Sequence, residues 1–186
     1  MQIIAPRRDA HDPRYFEYKG VRYPDFCRRG PASRFIREFA LEFCQGRGIN
    51  IGYGRLDWNF FPANTVLLDI STGHDCNRIT RIEGIERESF DFIFSSHTLE
   101  HLDDWKTSLA DWVQCLRPGG SLFLYLPHPS MEYWQPQNNT KHKHILVPEL
   151  VSGYLQSLNM GDILCSGVDL YYSFCVTGVR CPIRVG

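Results

Sequence analysis

The chain has 186 residues, of which 43% are apolar, 22% charged and 13% aromatic. That is about one domain's length with enough apolar side chain for a core, and it excludes a disordered, collagenous or coiled-coil chain. Basic residues number 20 and acidic residues 21, for a net charge of −1, so bulk charge gives no case for nucleic acid or an acidic membrane as a partner.

Residues 1–30 are rich in Arg, Tyr, Asp and Pro without any period. They read as an extended N-terminal arm with turns at Gly20 and Pro24, ahead of a single domain over residues 31–186. Phe35, Ile36, Phe39, Ala40 and Phe43 then share one helical face, with Pro31 in the first turn and Gly46 and Gly48 as the stop. Ile49–Ile51 is a short strand leading into Gly52-Tyr53-Gly54, and Thr65–Ile70 is a second buried strand carrying Asp69 near its end. Residues 71–89 are ambiguous, with Ile79, Ile82 and Ile85 as material for one weak strand. Phe90–Phe94 reads as a strand.

Leu102, Trp105, Leu109, Trp112, Val113 and Leu116 recur at helical spacing behind Asp103 or Asp104 as the cap. Arg117-Pro118-Gly119-Gly120 breaks that helix, and Ser121–Leu126 is the next strand. Residues 127–146 are aperiodic and too long for a simple connection, as functional loops are. Pro148 opens a helix through Leu150, Val151, Tyr154, Leu155 and Leu158, ended by Asn159 and Gly161, and strands follow near 162–166 and 171–179. Buried strands alternating with helices predict a mainly parallel sheet covered on both faces.

Seven cysteines without a Cys-x-x-Cys pair fit a reducing compartment and give no zinc knuckle. Met1–Arg14 has no apolar leader core, and no apolar run reaches the roughly 20 residues that span a bilayer. The expectation is a cytoplasmic protein with no membrane partner.

Gly52-Tyr53-Gly54 closes one strand and Asp69 closes the next. In open α/β sheets ligands bind at such carboxyl ends, glycines admit them close to the backbone, and a carboxylate there can take both hydroxyls of a ribose. A dinucleotide site would need a third glycine where Asp57 stands, and no Gly-x-x-x-x-Gly-Lys segment for a triphosphate exists. S-adenosylmethionine carries no phosphate and its sulfonium tolerates nearby acids, so the pattern favours that cofactor over a nicotinamide dinucleotide.

Three segments in this order resemble the motifs of the class I S-adenosylmethionine-dependent methyltransferases. Gly48-Ile49-Asn50-Ile51-Gly52-Tyr53-Gly54 is similar to their first motif, residues 89–102 to their fourth-strand motif, and Leu116-Arg117-Pro118-Gly119-Gly120-Ser121-Leu122 to the turn into their fifth strand. The resemblance implies a Rossmann-like, mainly parallel seven-stranded sheet with helices on both faces and the last strand antiparallel. It implies that Gly52, Tyr53 and Gly54 lie beside the cofactor's methionine and ribose, that Asp69 binds the ribose, and that Ile70 packs on adenine. It also places Ser95, Ser96 and His97 on the methionine side. Asn50 stands where the family usually has an acid, and Leu56 where its third glycine falls.

The expected activity is methyl transfer to a small-molecule acceptor, with a non-catalytic cofactor-binding module on the same fold as the alternative. His128, directly after the fifth strand, is the candidate general base. Tyr15, Tyr18, Tyr23, Tyr133 and Trp134 are candidate walls of an acceptor pocket or plain packing residues. His97, Glu100 and His101 share a helical face and could converge on a metal. The plainer reading of Leu99-Glu100-His101 is a structural turn with the glutamate bonding nearby backbone, so no metal ligand is assigned. His142 and His144, between Lys141 and Lys143, read as a solvated basic turn.

Overall fold

The computed structural model describes residues 5–28, 31–69, 78–79, 82 and 84–182. Contrary to the extended arm expected, the N-terminal segment folds into an antiparallel meander of β1 (Arg7–Arg8), β2 (Tyr15–Tyr18) and β3 (Val21–Pro24). The expected turn at Gly20 is its hairpin: Lys19 and Gly20 take φ of 49° and 80°, the geometry whose twist matches the flanking strands. Period-2 alternation sends Phe16 and Tyr18 to one face, and Tyr23 stands opposite Phe16. All three are buried against Met131 and Trp134 of the long loop.

The first helix is shorter than its apolar spacing suggests. Pro31 stays extended outside a 3-10 turn at Ala32–Phe35, and α1 covers only Arg37–Phe43. Of its residues Ala40 alone is buried, and Phe39 remains 48% exposed.

The main sheet runs β6 (Arg78–Ile79), β5 (Val66–Leu68), β4 (Gly48–Ile51), β7 (Phe90–Ser96), β8 (Leu116–Pro127), β10 (Ser173–Arg180), β9 (Met160–Cys165). That is seven strands counting the two-residue β6, and six of three residues or more. The pairs from β6 to β8 are parallel, while β10 is antiparallel to both of its neighbours. The expected architecture is therefore present. Its one addition is that β8 begins at Leu116, so the Arg117-Pro118-Gly119-Gly120 segment lies inside the strand, with a register shift opposite Phe90 and Phe92.

Alternation along the strands sorts the two layers by chemistry. Ile49, Ile51, Ile93, Leu122 and Leu124 face α2 (Trp105–Cys115) and α3 (Pro148–Ser157). Phe92, Phe94, Phe123 and Tyr125 face α1 and Phe61 on the other side. Each such buried side chain is worth about 1.5–3 kcal/mol of transfer free energy. Local signals fix the helix ends as expected: Asp104 accepts from Thr107 N–H, Pro148 opens α3, and Asn159 leaves it at φ 61°. Gly161 is not part of that stop, because it already pairs in β9. The weak strand sought in residues 71–89 is the pairing at Arg78–Ile79, while Ile82 and Ile85 pack against the core.

Candidate functional site

Because β4, β5 and β7 run parallel, the residues that follow them meet along one edge of the sheet. Gly52 leaves β4 at φ 76°, and its N–H donates to the Leu68 carbonyl at 2.7 Å. A Cβ there would lie 1.8 Å from Thr98 Oγ1. Conformation and space both require glycine. Gly54, at φ 71°, donates its N–H to Asp69 Oδ2 at 2.7 Å. Asp69 is thus fixed twice, by the end of β5 and by the glycine turn. It borders a cavity of about 900 Å³ with Gly52, Leu68, Thr98, Asp111 and Trp112 among its lining residues, which is ample for a nucleoside-sized ligand. Ile70 lies outside the described residues.

A second cavity of about 410 Å³ opens on the far side of the glycine turn, against Tyr53, Gly54, Trp58, Ser96 and Trp134. Gly52, His97, His101 and Lys141 border both cavities. The chain after Gly54 does not enter a long helix, as doubly wound sheets usually do, but a 3-10 turn at Leu56–Trp58. A pyrophosphate would find no helix N-terminus there. Asp57, which stands where a dinucleotide site would need its third glycine, is turned outward, 62% exposed and paired with Arg55 at 3.0 Å, so its charge does not face the turn. It is the missing helix, rather than that charge, that distinguishes this turn from a dinucleotide cradle.

The remaining expected residues divide. His97 borders both cavities and Ser96 lines the second; the Ser96 hydroxyl is buried without a hydrogen-bond partner among the described residues. His97 holds φ 49°, a left-handed backbone that costs a non-glycine residue on the order of 1–3 kcal/mol, as residues at functional sites often do. Its Nε2 lies 2.9 Å from Ser173 Oγ, and burial depresses its pKa to about 3, with the charges of His142 and His101 adding to the effect. Ser95 and Asn50 point elsewhere. Ser95 donates to the Ile51 carbonyl at 3.1 Å and ties β7 to β4, while Asn50 donates to Asn59 Oδ1 at 2.9 Å and anchors the segment after the 3-10 turn.

His128 is displaced from both cavities. Its Nδ1 accepts from Ser130 N–H at 3.2 Å, and it borders a separate small hollow with Pro129 and His144. Of the expected aromatic wall only Trp134 lines the second cavity. Tyr18, Tyr23 and Tyr133 pack within the arm cluster, and Tyr15 lies under the Arg22 guanidinium.

One histidine lies where sequence reasoning did not place it. His142, expected in a solvated turn, is 7% exposed, turned toward Glu100, and lines the small hollow rather than either large cavity. The backbone brings it there: Lys143 N–H donates to the Glu100 carbonyl at 2.7 Å, and the Lys141 carbonyl lies 2.6 Å from His101 Nδ1. Burial lowers the His142 pKa to about 4, the His101 charge contributing, and burial lifts Glu100 to about 8. Among the described residues neither Glu100 carboxylate oxygen completes a hydrogen bond, and the nearby backbone acts on it only through Glu100's own N–H, which favours the charged form against the effect of burial.

The comparisons agree with this geometry. Residues 47–124 match a family model described as a methyltransferase domain. Among curated proteins no relative matches the sequence. Solved structures with the same fold include a chain of the Haloferax volcanii complex between the Trm112 methyltransferase activator and a methyltransferase, at TM-score 0.65 and 10% identity, covering 81% of this chain and 90% of that one. A SAM-dependent methyltransferase from Thermotoga maritima aligns at TM-score 0.60 and 16% identity, covering 83% and 97%. A Haemonchus contortus phosphoethanolamine N-methyltransferase 2, in complex with S-adenosyl-L-methionine, aligns at 0.62 and 13%, covering 82% and 54%. At these identities the likeness is one of fold. With the glycine turn, the strand-end carboxylate, the β6-β5-β4-β7-β8-β10-β9 order of the main sheet and the methyltransferase-domain match over residues 47–124 in one chain, the protein is similar in fold and motif to the class I S-adenosylmethionine-dependent methyltransferases.

Proposed function

We propose that the chain transfers the methyl group of S-adenosylmethionine to a small-molecule acceptor. The observation that carries this reading is Asp69, buried at the end of β5, bonded to Gly54 N–H and bordering the larger cavity. Its carboxylate would take the ribose hydroxyls, while Gly52 and Gly54 leave room for the ligand against the backbone. Asp103, Asp104 and Asp111 on the same cavity make its walls acidic, which suits a cationic ligand.

When bound, the cofactor supplies a methyl group on a sulfonium that is already a strong leaving group. The protein's task is therefore to position two molecules and exclude water. His97 borders both cavities and Ser96 lines the second, where the methyl group would face an acceptor held between Tyr53, Trp58 and Trp134. The second cavity's size fits an acceptor of modest dimensions.

Calorimetric titration of the whole chain with S-adenosylhomocysteine, S-adenosylmethionine and NAD tests the cofactor, and release of S-adenosylhomocysteine across a panel of small acceptors tests turnover. Binding of both sulfur compounds with none of NAD supports the proposal. Tight NAD binding with no response to either sulfur compound would overturn it, and cofactor binding without turnover on any acceptor would favour a binding module.

A further inference from the structure

We propose that Glu100, His101 and His142, with His97 beside them, form a binding site for a divalent first-row transition ion behind the point where His97 and His101 border both cavities. Glu100 is fully buried, and neither carboxylate oxygen has a hydrogen-bond partner among the described residues. Buried polar groups are nearly always satisfied, so a bare carboxylate in this position calls for an explanation. Its Oε1 faces three imidazole nitrogens: His101 Nε2 at 3.6 Å, His142 Nε2 at 3.9 Å and His97 Nδ1 at 3.9 Å. These separations are too long for hydrogen bonds. They are close to the spacing between two ligands on one tetrahedral ion, about 3.4 Å for bonds near 2.1 Å. The donor atoms of Glu100, His101 and His142 all lie within 4.8 Å of one another.

The outer nitrogens support the same assignment. His101 Nδ1 lies 2.6 Å from the Lys141 carbonyl, so it donates there and presents the Nε2 lone pair inward, as metal-bound histidines do. His97 Nε2 is occupied by Ser173 Oγ, which leaves Nδ1 facing Glu100. Two imidazoles and a carboxylate suit zinc, iron(II), cobalt or manganese, not the all-oxygen shells of calcium or magnesium. Three protein ligands also leave a coordination position open, as in reactive rather than structural sites. His101 borders both cavities, so that position is reachable from the acceptor side. An acceptor hydroxyl is the group such an ion would hold and polarise; that role rests on the methyltransferase reading, whereas binding of the ion does not.

The test uses the full chain, stripped with a chelator and titrated with cobalt(II), whose visible absorption reports nitrogen and oxygen ligation, and with zinc by calorimetry. The expected result is a single ion per chain, with affinity lowered at least about tenfold in both Glu100→Gln and His142→Ala and unchanged in His144→Ala. His142 lies on a loop and outside the two main core clusters, so its variant keeps the test open if Glu100→Gln misfolds. Absence of cobalt binding, or equal affinity in a folded His142→Ala chain, would overturn the site. Because no cofactor is added, a chain that binds cobalt but not S-adenosylmethionine would keep the site and sink the methyltransferase reading, and the reverse outcome would do the opposite.

Discussion

Gly54 and Asp69 are joined by a 2.7 Å hydrogen bond from the glycine N–H to the carboxylate. The bond ties the turn after β4 to the end of β5, so one contact holds the sheet edge and shapes the proposed ribose site together. A donor to an ionised acceptor is worth about 1.5–3 kcal/mol, roughly twice a neutral bond. Substitutions here therefore read on fold and ligand binding at once, and each has to be followed by two measurements.

Gly52→Ala should be the most damaging single change at the turn. A methyl group there would collide with the Thr98 side chain, and φ 76° disfavours any residue with a Cβ. The expected loss is about 2 kcal/mol or more, since strain at a left-handed position adds to overpacking. A lowered melting temperature together with lost cofactor binding supports this. Gly52→Ala with Thr98→Gly should recover part of the stability by removing the clash, without relieving the backbone.

His128→Ala should leave cofactor affinity and methyl transfer close to wild type. Its ring is engaged with Ser130 and borders neither of the two large cavities. A fall in turnover of a hundredfold or more, at unchanged stability, would return His128 to the role of general base that its position after β8 suggests.

Phe16→Ala tests whether the N-terminal meander is part of the fold. Phe16 is fully buried and packs on Tyr23 and Tyr133, so truncation should cost about 3–5 kcal/mol. For a chain of this size each kcal/mol lowers the melting temperature by about 2–4 °C. Unchanged stability in thermal unfolding would mean that the meander is only loosely attached.

How far the sequence reveals this molecule depends on whether a signal is local. β4, β5 and β7 are short apolar runs, and Asp104 and Pro148 mark helix starts by rules that operate within one turn. The meander escaped because β2 and β3 have four residues each and β1 two, too few repeats for a period to show. Their buried partners Met131 and Trp134 are more than a hundred residues away in the chain. Gly52, Gly54 and Asp69 were legible because strand-end position and residue type suffice to place them. His142 was not, because its approach to Glu100 is set by hydrogen bonds between an aperiodic loop and residues about 40 positions earlier in the chain. His128 misled for a related reason: lying after the right strand does not determine which way a side chain turns once the strand has ended.

If the Asp69 carboxylate holds the ribose, Asp69→Asn separates that role from its support of the glycine turn. Asparagine can still accept from Gly54 N–H, so the fold should survive while the charge is lost. Affinity for S-adenosylhomocysteine by calorimetry and the melting temperature are to be measured on the same preparation. The predicted result is an affinity lowered about tenfold to a hundredfold, the equivalent of 1.5–3 kcal/mol, at near wild-type stability. Unchanged affinity per folded molecule, with a lowered melting temperature, would remove Asp69 from the ribose site and leave it as a support of the turn alone.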